Sequence, residues 1–322
     1  MSIEIVGYGL AQAEQAVTNT ELSNTVETSD AWIQERTGIK QRYFSIHKNT
    51  SDLASEAAMM AIQDAKIDPK TIDLILVATI TPDGMMPSVA SLVQAKCGLN
   101  EQNCLSYDIN AACTGFIVAM QNAQAMLEAG FVQNALVIGA ETLSKILDFN
   151  DRTTSVLFGD GAGAIIMRRS STKKMLHYTR SEGDLQGVLT SDGLALNPEM
   201  QINQYSSHFL RMQGQAVFRF AVKAIEDVIT KVLQQTNLHV DQIDWIVPHQ
   251  ANRRIIEYVA NKMNIDLAKF YLNLDQYGNT SSASIPIALS EMKTKGLLKE
   301  GMRVICVGFG AGLTWGGSYF ES

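Results

Sequence analysis

Cys113, His249 and Asn279 are the residues of this chain whose types and settings could do chemistry, and each has a plainer reading beside the reactive one. Cys113 lies in D-I-N-A-A-C-T-G-F, between the apolar run C-L-S-Y-D-I and F-I-V-A-M-Q-N-A-Q-A-M-L, whose apolar spacing is that of a helix. Free cysteine is commonly a small buried hydrophobe. At a strand-to-helix junction, however, unpaired N–H groups and the macrodipole favour the thiolate and lower the pKa from about 8.5. The small neighbours Ala111, Ala112, Thr114 and Gly115 would let a substrate approach. His249 ends I-D-W-I-V-P-H-Q-A-N-R-R, where an apolar strand stops at Pro248 and a polar stretch opens a helix. α/β folds place ligands at such strand ends, although a lone histidine is commonly a surface or capped residue. Asn279 sits in Y-G-N-T-S-S-A-S, where Gly278-Asn279 is also an ordinary turn dipeptide. The other cysteines (Cys97, Cys104, Cys306) and histidines (His47, His177, His208, His239) lack comparable settings.

What positions these residues is an internal duplication. Offset by about 170 residues, the chain echoes itself, which signals a duplicated domain and not a solenoid of short repeats. D-A-K-I-D-P-K-T-I-D-L-I-L-V-A (Asp64 to Ala78) parallels Q-T-N-L-H-V-D-Q-I-D-W-I-V-P-H (Gln235 to His249), and A-L-V-I-G-A-E (Ala135 to Glu141) parallels V-I-C-V-G-F-G (Val304 to Gly310). The segment after Cys113 parallels the one after Ser282, so pseudo-symmetry brings Cys113 and Asn279 to opposite sides of one cleft. Helical patterns alternate with short apolar strands, making each half α/β. The division is expected near R-R-S-S-T-K-K (Arg168 to Lys174), giving halves 1–170 and 171–322; a surface hairpin fits that stretch equally well.

Composition narrows the class. The chain has 322 residues, 46% hydrophobic and 18% charged, with net charge −7, enough for a substantial core and adverse to bulk attraction by nucleic acid or anionic membrane. The opening residues do not read as an export leader, and no apolar run reaches the ~18 residues of a membrane span. A cytoplasmic enzyme with reduced thiols is expected, for the cysteines suggest neither disulfides nor a metal site. The glycine-rich F-G-D-G-A-G-A (Phe158 to Ala164) and G-F-G-A-G-L-T-W-G-G (Gly308 to Gly317) match no phosphate-binding fingerprint; they suit close main-chain approach, or N–H groups aimed at an oxyanion. Papain-like proteases also order Cys, His and Asn this way, but their C-G-[SA]-C-[WY] signature is missing.

D-I-N-A-A-C-T-G-F, V-P-H-Q-A-N-R-R, Y-G-N-T-S-S-A-S, F-G-D-G-A-G-A and G-F-G-A-G-L-T-W-G together resemble the β-ketoacyl-acyl-carrier-protein synthase III family, which initiates type II fatty acid synthesis. The resemblance spans nearly the whole chain. Elongating ketosynthases use Cys-His-His, thiolases a second cysteine, and hydroxymethylglutaryl-CoA synthases a glutamate. The resemblance implies the thiolase fold, a duplicated five-layer αβαβα arrangement, in a homodimer without cofactor. Its substrates are a short acyl-CoA and malonyl acyl carrier protein. Cys113 would be the nucleophile, with His249 and Asn279 donating to the enolate oxygen. An oxyanion hole would involve the Cys113 N–H and the turn at Gly310 and Ala311, where Gly310-Ala311-Gly312 departs from the usual all-glycine triplet. CoA would meet Thr28, Trp32, Arg36 and Arg152. The acidic carrier would meet a local basic patch of Arg219, Arg253, Arg254 and Lys262 with Gln250, and Met86 would close the partner's acyl pocket. A Cys-His-Asn acyltransferase of secondary metabolism and a non-enzymatic thiolase-fold subunit are the rival readings.

Overall fold

The structure is a computed structural model describing residues 2–193 and 208–322. In the first half β1 (Ser2–Gln12) is followed by β2 (Gln15–Thr18), α1 (Asn19–Leu22), α2 (Asp30–Thr37) and β3 (Gln41–Phe44). Then come α3 (Thr50–Ala65), β4 (Leu74–Ala78), α4 (Val89–Lys96), β5 (Leu105–Ile109), α5 (Gly115–Ala129), β6 (Asn134–Glu141) and β7 (Gly161–Ser170). The second half runs β8 (Met175–Ser181), β9 (Leu189–Thr190), β10 (Arg211–Met212), α6 (Gly214–Thr236), β11 (Trp245–Pro248), α7 (Arg253–Met263), α8 (Leu274–Tyr277), α9 (Ser284–Thr294), β12 (Arg303–Gly310) and β13 (Thr314–Glu321).

The two main sheets share one topology. The first has the order β1-β7-β6-β4-β5; the second has β8-β13-β12-β11, extended by a parallel bridge from Ile246 to Phe270 where β5 would lie. Strands β5, β4 and β6 are mutually parallel, as are β11 and β12, while β7 pairs antiparallel with both β6 and β1, and β13 antiparallel with both β12 and β8. Alternate residues along a strand face opposite sides. Leu74 and Leu76 of β4 therefore point inward with Val304 and Cys306 of β12, whereas Ile75 and Val77 meet the outer helices α3 and α4. Ile305 and Val307 meet α6 and α7 on the far side. Helices α5 and α9 fill the space between the sheets with Phe116, Met120, Ile285 and Leu289. The layers thus run α-β-α-β-α, the thiolase fold. All four cysteines are free, and no helix among the described residues is long and apolar enough to cross a membrane.

Contact between the middle helices and the sheets is close enough to require glycine. A Cβ on Gly163 of β7 would lie 2.5 Å from both the Ile287 nitrogen and the Pro286 carbonyl carbon in α9. Backbone cannot yield as a flexible side chain can, so Gly163→Ala should destabilise the protein by about 1–3 kcal/mol. The measurement is urea unfolding: a lowered midpoint at unchanged slope is expected, and an unchanged midpoint would contradict the close packing.

Candidate active site

Each middle helix is entered through a 3-10 turn, Ala112–Thr114 before α5 and Ser281–Ala283 before α9. The opening residues of both turns, Ala112 and Ser281, have positive φ of 46° and 48°. Cys113 is the central residue of the first turn and is 6% exposed. A Cβ on Gly310, at the end of β12, would lie 2.8 Å from the Cys113 nitrogen and 2.9 Å from its Cβ, so glycine is what lets the second sheet reach the cysteine. The helix-start position does not by itself yield a thiolate. Burial dominates and pushes the Cys113 thiol up to about 12; the Ser281 hydroxyl and the residue's own N–H oppose the rise, and the Glu141 carboxylate adds to it. The lowered pKa expected from the sequence is thereby corrected, because desolvation of a thiolate outweighs the favourable local groups.

His249 and Asn279 reach the same place from the second half. The His249 N–H donates to Val307 O at 2.7 Å, continuing the β11–β12 ladder past Pro248. Its ring meets Phe309 edge-on at 5.1 Å between centroids, and Nδ1 lies 2.7 Å from the Ser284 hydroxyl oxygen. The residue is 1% exposed, and burial lowers its pKa to about 3, so the ring is neutral near pH 7. Asn279 is clamped by the first glycine-rich loop: its N–H donates to Leu157 O at 2.8 Å and its carbonyl accepts from the Gly159 N–H at 3.0 Å. The Asn279 Oδ1 accepts from the Ser281 N–H at 2.8 Å, leaving the side-chain NH2 as its donor end. Cys113, His249, Asn279 and Phe309 line one cavity of about 140 Å³, whose rim includes Gly214, Phe218 and Asn252. On its other side Cys113 borders a second space of about 1010 Å³ with Asn110, Leu143, Ser281, Ala311 and Gly312. The positive φ of the 310–312 turn, 135°, falls on Gly312, so alanine at 311 carries no backbone penalty.

Two residues that sequence reasoning passed over support this centre. Glu141 is wholly buried at the end of β6; its carboxylate accepts from the Ser282 hydroxyl at 2.7 Å, the Thr81 hydroxyl at 2.5 Å and the Ile80 N–H at 3.1 Å. Burial raises its pKa and these donors oppose the rise. A charge ending the apolar run A-L-V-I-G-A-E was its signal. Ser284, touching His249, was hidden among the serines that open α9. Among the described residues no group of three His, Cys, Asp or Glu side chains could hold a metal ion.

Trp32 stands on α2, whose first turn is capped by the Ser29 hydroxyl accepting the Trp32 N–H at 3.2 Å. The Arg152 guanidinium lies 5.3 Å from the centre of the indole, Arg36 is exposed on the same helix as Trp32, and the buried Thr28 hydroxyl has no hydrogen-bond partner among the described residues. Arg42 sits behind them, fully buried. It donates to Asn19 Oδ1 at 2.8 Å and to Val156 O at 2.8 Å, and Asn19 in turn donates to Asp30 at 2.9 Å. Arg219, Arg253, Arg254 and Lys262 are exposed on α6 and α7. Arg253 pairs with Glu257 at 2.7 Å and Lys262 with Glu226 at 2.8 Å, whereas Arg219 and Arg254 have no ion pair among the described residues. Gln250 does not belong with them. It is 2% exposed, and its amide donates to Pro248 O at 2.8 Å and Tyr271 O at 3.1 Å while accepting from the Asn273 N–H at 3.0 Å. Its side chain satisfies main-chain groups where β11 ends, and none of it remains for a docking partner. Met86 is 85% exposed.

Comparison with known proteins accords with this geometry. The family profile for 3-oxoacyl-[acyl-carrier-protein (ACP)] synthase III matches residues 107–183, and that for its C-terminal region matches 233–322. The β-ketoacyl-[acyl-carrier-protein] synthase III of Clostridium acetobutylicum is 48% identical, covering 98% of this chain and 97% of its own. That of Clostridium perfringens is 46% identical over 99% and 98%. The crystal structure of 3-oxoacyl-[acyl-carrier-protein] synthase III from Aquifex aeolicus superposes with a TM-score of 0.92 at 39% identity, covering both chains in full. The chain belongs to the β-ketoacyl-[acyl-carrier-protein] synthase III family.

Proposed function

We propose that Cys113 takes the acyl group of a short acyl-CoA and that His249 and Asn279 then stabilise the enolate formed from malonyl acyl carrier protein. As a β-ketoacyl-[acyl-carrier-protein] synthase III the chain is a condensing acyltransferase that initiates fatty acid synthesis. The observation that carries the residue roles is the shared cavity of Cys113, His249 and Asn279, with the asparagine oxygen already occupied and the histidine uncharged.

In the first half-reaction the Cys113 sulfur attacks the thioester carbon, the bond from that carbon to the CoA sulfur breaks, and the thiol proton ends on CoA. In the second, the bond to the malonyl carboxylate breaks and CO2 leaves. The electron pair passes to the enolate, whose oxygen accepts from the His249 ring N–H and the Asn279 amide. Neutral donors suit this step, since they hold negative charge without giving up a proton. The carbanion then attacks acyl-Cys113; the N–H of Cys113 and the 310–312 turn face the oxyanion, and collapse breaks the bond from the acyl carbon to the Cys113 sulfur, freeing the β-ketoacyl carrier and a thiolate that takes up one proton from water to restore the thiol.

For CoA, Trp32 and Arg152 offer two flat faces for adenine, Arg36 a charge for phosphate and the unpartnered Thr28 hydroxyl a hydrogen bond. A ring between Trp32 and Arg152 needs two van der Waals separations, about 7 Å. Their 5.3 Å approach means that the guanidinium swings aside on binding. Arg254 and Arg219 flank Ile255 and Phe218 of the cavity lining and form no ion pair among the described residues, which supports them as the contacts for an acidic carrier. The exposure of Met86 supports a homodimer in which it reaches the partner's acyl space.

Intact mass after incubation with acetyl-CoA and longer or branched acyl-CoAs should show an acyl adduct on Cys113, discharged by malonyl-carrier as a β-ketoacyl product. No adduct, or one never discharged, refutes the assignment. Asn279→Ala should keep the adduct while slowing condensation about 100- to 1000-fold. Iodoacetamide should alkylate Cys113 about tenfold faster per pH unit between about pH 7 and 9, with no plateau near the ~8.5 of a free thiol, because the pKa is pushed up to about 12. A plateau there would contradict the buried thiol. Arg254→Glu should raise KM for malonyl-carrier far more than for acyl-CoA; equal effects on both would remove Arg254 from the docking patch.

A further inference from the structure

Ser284 opens α9 and is buried. Its hydroxyl oxygen has His249 Nδ1 at 2.7 Å and the Gln250 N–H, which can only donate, at 3.4 Å. A serine hydroxyl carries one hydrogen and can accept at its lone pairs. Among the described residues no carbonyl or carboxylate lies within hydrogen-bonding reach of this oxygen to take that hydrogen. If Nδ1 carried the ring proton, the oxygen would face two N–H donors and its own hydrogen would be buried with no acceptor. If Nδ1 is bare, Gln250 donates to the oxygen, the hydroxyl donates to Nδ1, and every group is satisfied. The ring proton then belongs on Nε2.

We propose that Ser284 is a positioning residue that holds His249 in the Nε2–H tautomer, so that the neutral ring presents a donor and not a lone pair to the reacting oxygen. The inference rests on the reading of His249 as an enolate donor. The partner on one ring nitrogen decides which nitrogen bears the proton, and a lone pair aimed at developing negative charge would repel it. Burial independently keeps the ring uncharged. The duplicated first half supplies an internal comparison. There Ala78 takes the place of His249 and Gly115 that of Ser284; the two positions again adjoin, a Cβ on Gly115 lying 3.1 Å from the Ala78 Cβ. The hydroxyl therefore occurs in the half that carries the imidazole, where the other half has two residues unable to bond.

The test begins with 15N-histidine NMR of the intact resting enzyme, the His249 signals being identified by their loss in His249→Ala. Nε2 should be protonated and Nδ1 should resonate as an acceptor nitrogen; the reverse overturns the proposal whatever the enzyme's substrates. Kinetics supply a second arm. Ser284→Ala should slow condensation with malonyl-carrier about 10-fold, leave acyl transfer from acetyl-CoA to Cys113 within about twofold, and be restored by Ser284→Thr, which keeps the hydroxyl. Equal loss in both half-reactions, or equal loss in the alanine and threonine variants, means that Ser284 only packs and overturns the proposal. Unsubstituted enzyme that shows the Nε2–H tautomer but makes no β-ketoacyl product upholds the tautomer and removes the condensing assignment instead.

Discussion

The structure turns on the crossing of two 3-10 turns between the sheets. Each turn starts a middle helix, and each is braced by the opposite half: the first by Gly310 of β12 against Cys113, the second by Glu141 of β6 through Ser282. Gly310 and Glu141 hold equivalent places in the two halves, yet one gives close approach and the other a carboxylate. A common scaffold thereby becomes chemically one-sided. Cys113 has a bare backbone beside it, and the turn that follows Asn279 has a buried hydrogen-bond anchor, which suits the nucleophile and donor roles proposed above.

Burial sets the protonation of the whole centre. It raises the pKa of Cys113 and Glu141 and lowers that of His249, so burial selects neutral thiol and neutral imidazole. A thiolate formed in the cavity is correspondingly short of solvation, and the nearby N–H groups and the Ser281 hydroxyl are what oppose that cost. The helix start favours the thiolate, but the second sheet that closes over it removes the solvation a thiolate needs.

Much of this architecture is legible in the sequence because, of the duplicated strands, β4 is buried throughout and β6, β11 and β12 at all but their first positions, so that they read as near-continuous apolar runs. D-L-I-L-V-A and D-W-I-V-P-H reveal equivalent strands, and the apolar spacing after Cys113 reveals a middle helix. The counterpart of β5 is hidden because only Phe270 bridges there. Gln250 looks like a surface residue in a polar motif, and only the folded chain shows that it satisfies the carbonyls of Pro248 and Tyr271. Ser284 and Glu141 act through residues distant in sequence, so local pattern could mark them as unusual but could not name their partners.

The buried Arg42 also bears on how quickly a nucleotide could come and go. By bonding Val156 O directly and the Asp30 carboxylate through Asn19, it links a side chain on the helix of Trp32 to the backbone just beyond Arg152. The backbones that carry Trp32 and Arg152 are thereby linked, and what joins the exposed Arg152 guanidinium to the chain opposite is its hydrogen bond to Glu27 O at 3.4 Å. Rotamer exchange of an exposed side chain takes picoseconds to nanoseconds, whereas loop and domain movements extend to microseconds and milliseconds. In the CoA reading proposed above, access to the indole face is therefore a matter of side-chain rotation and needs no movement of the chain.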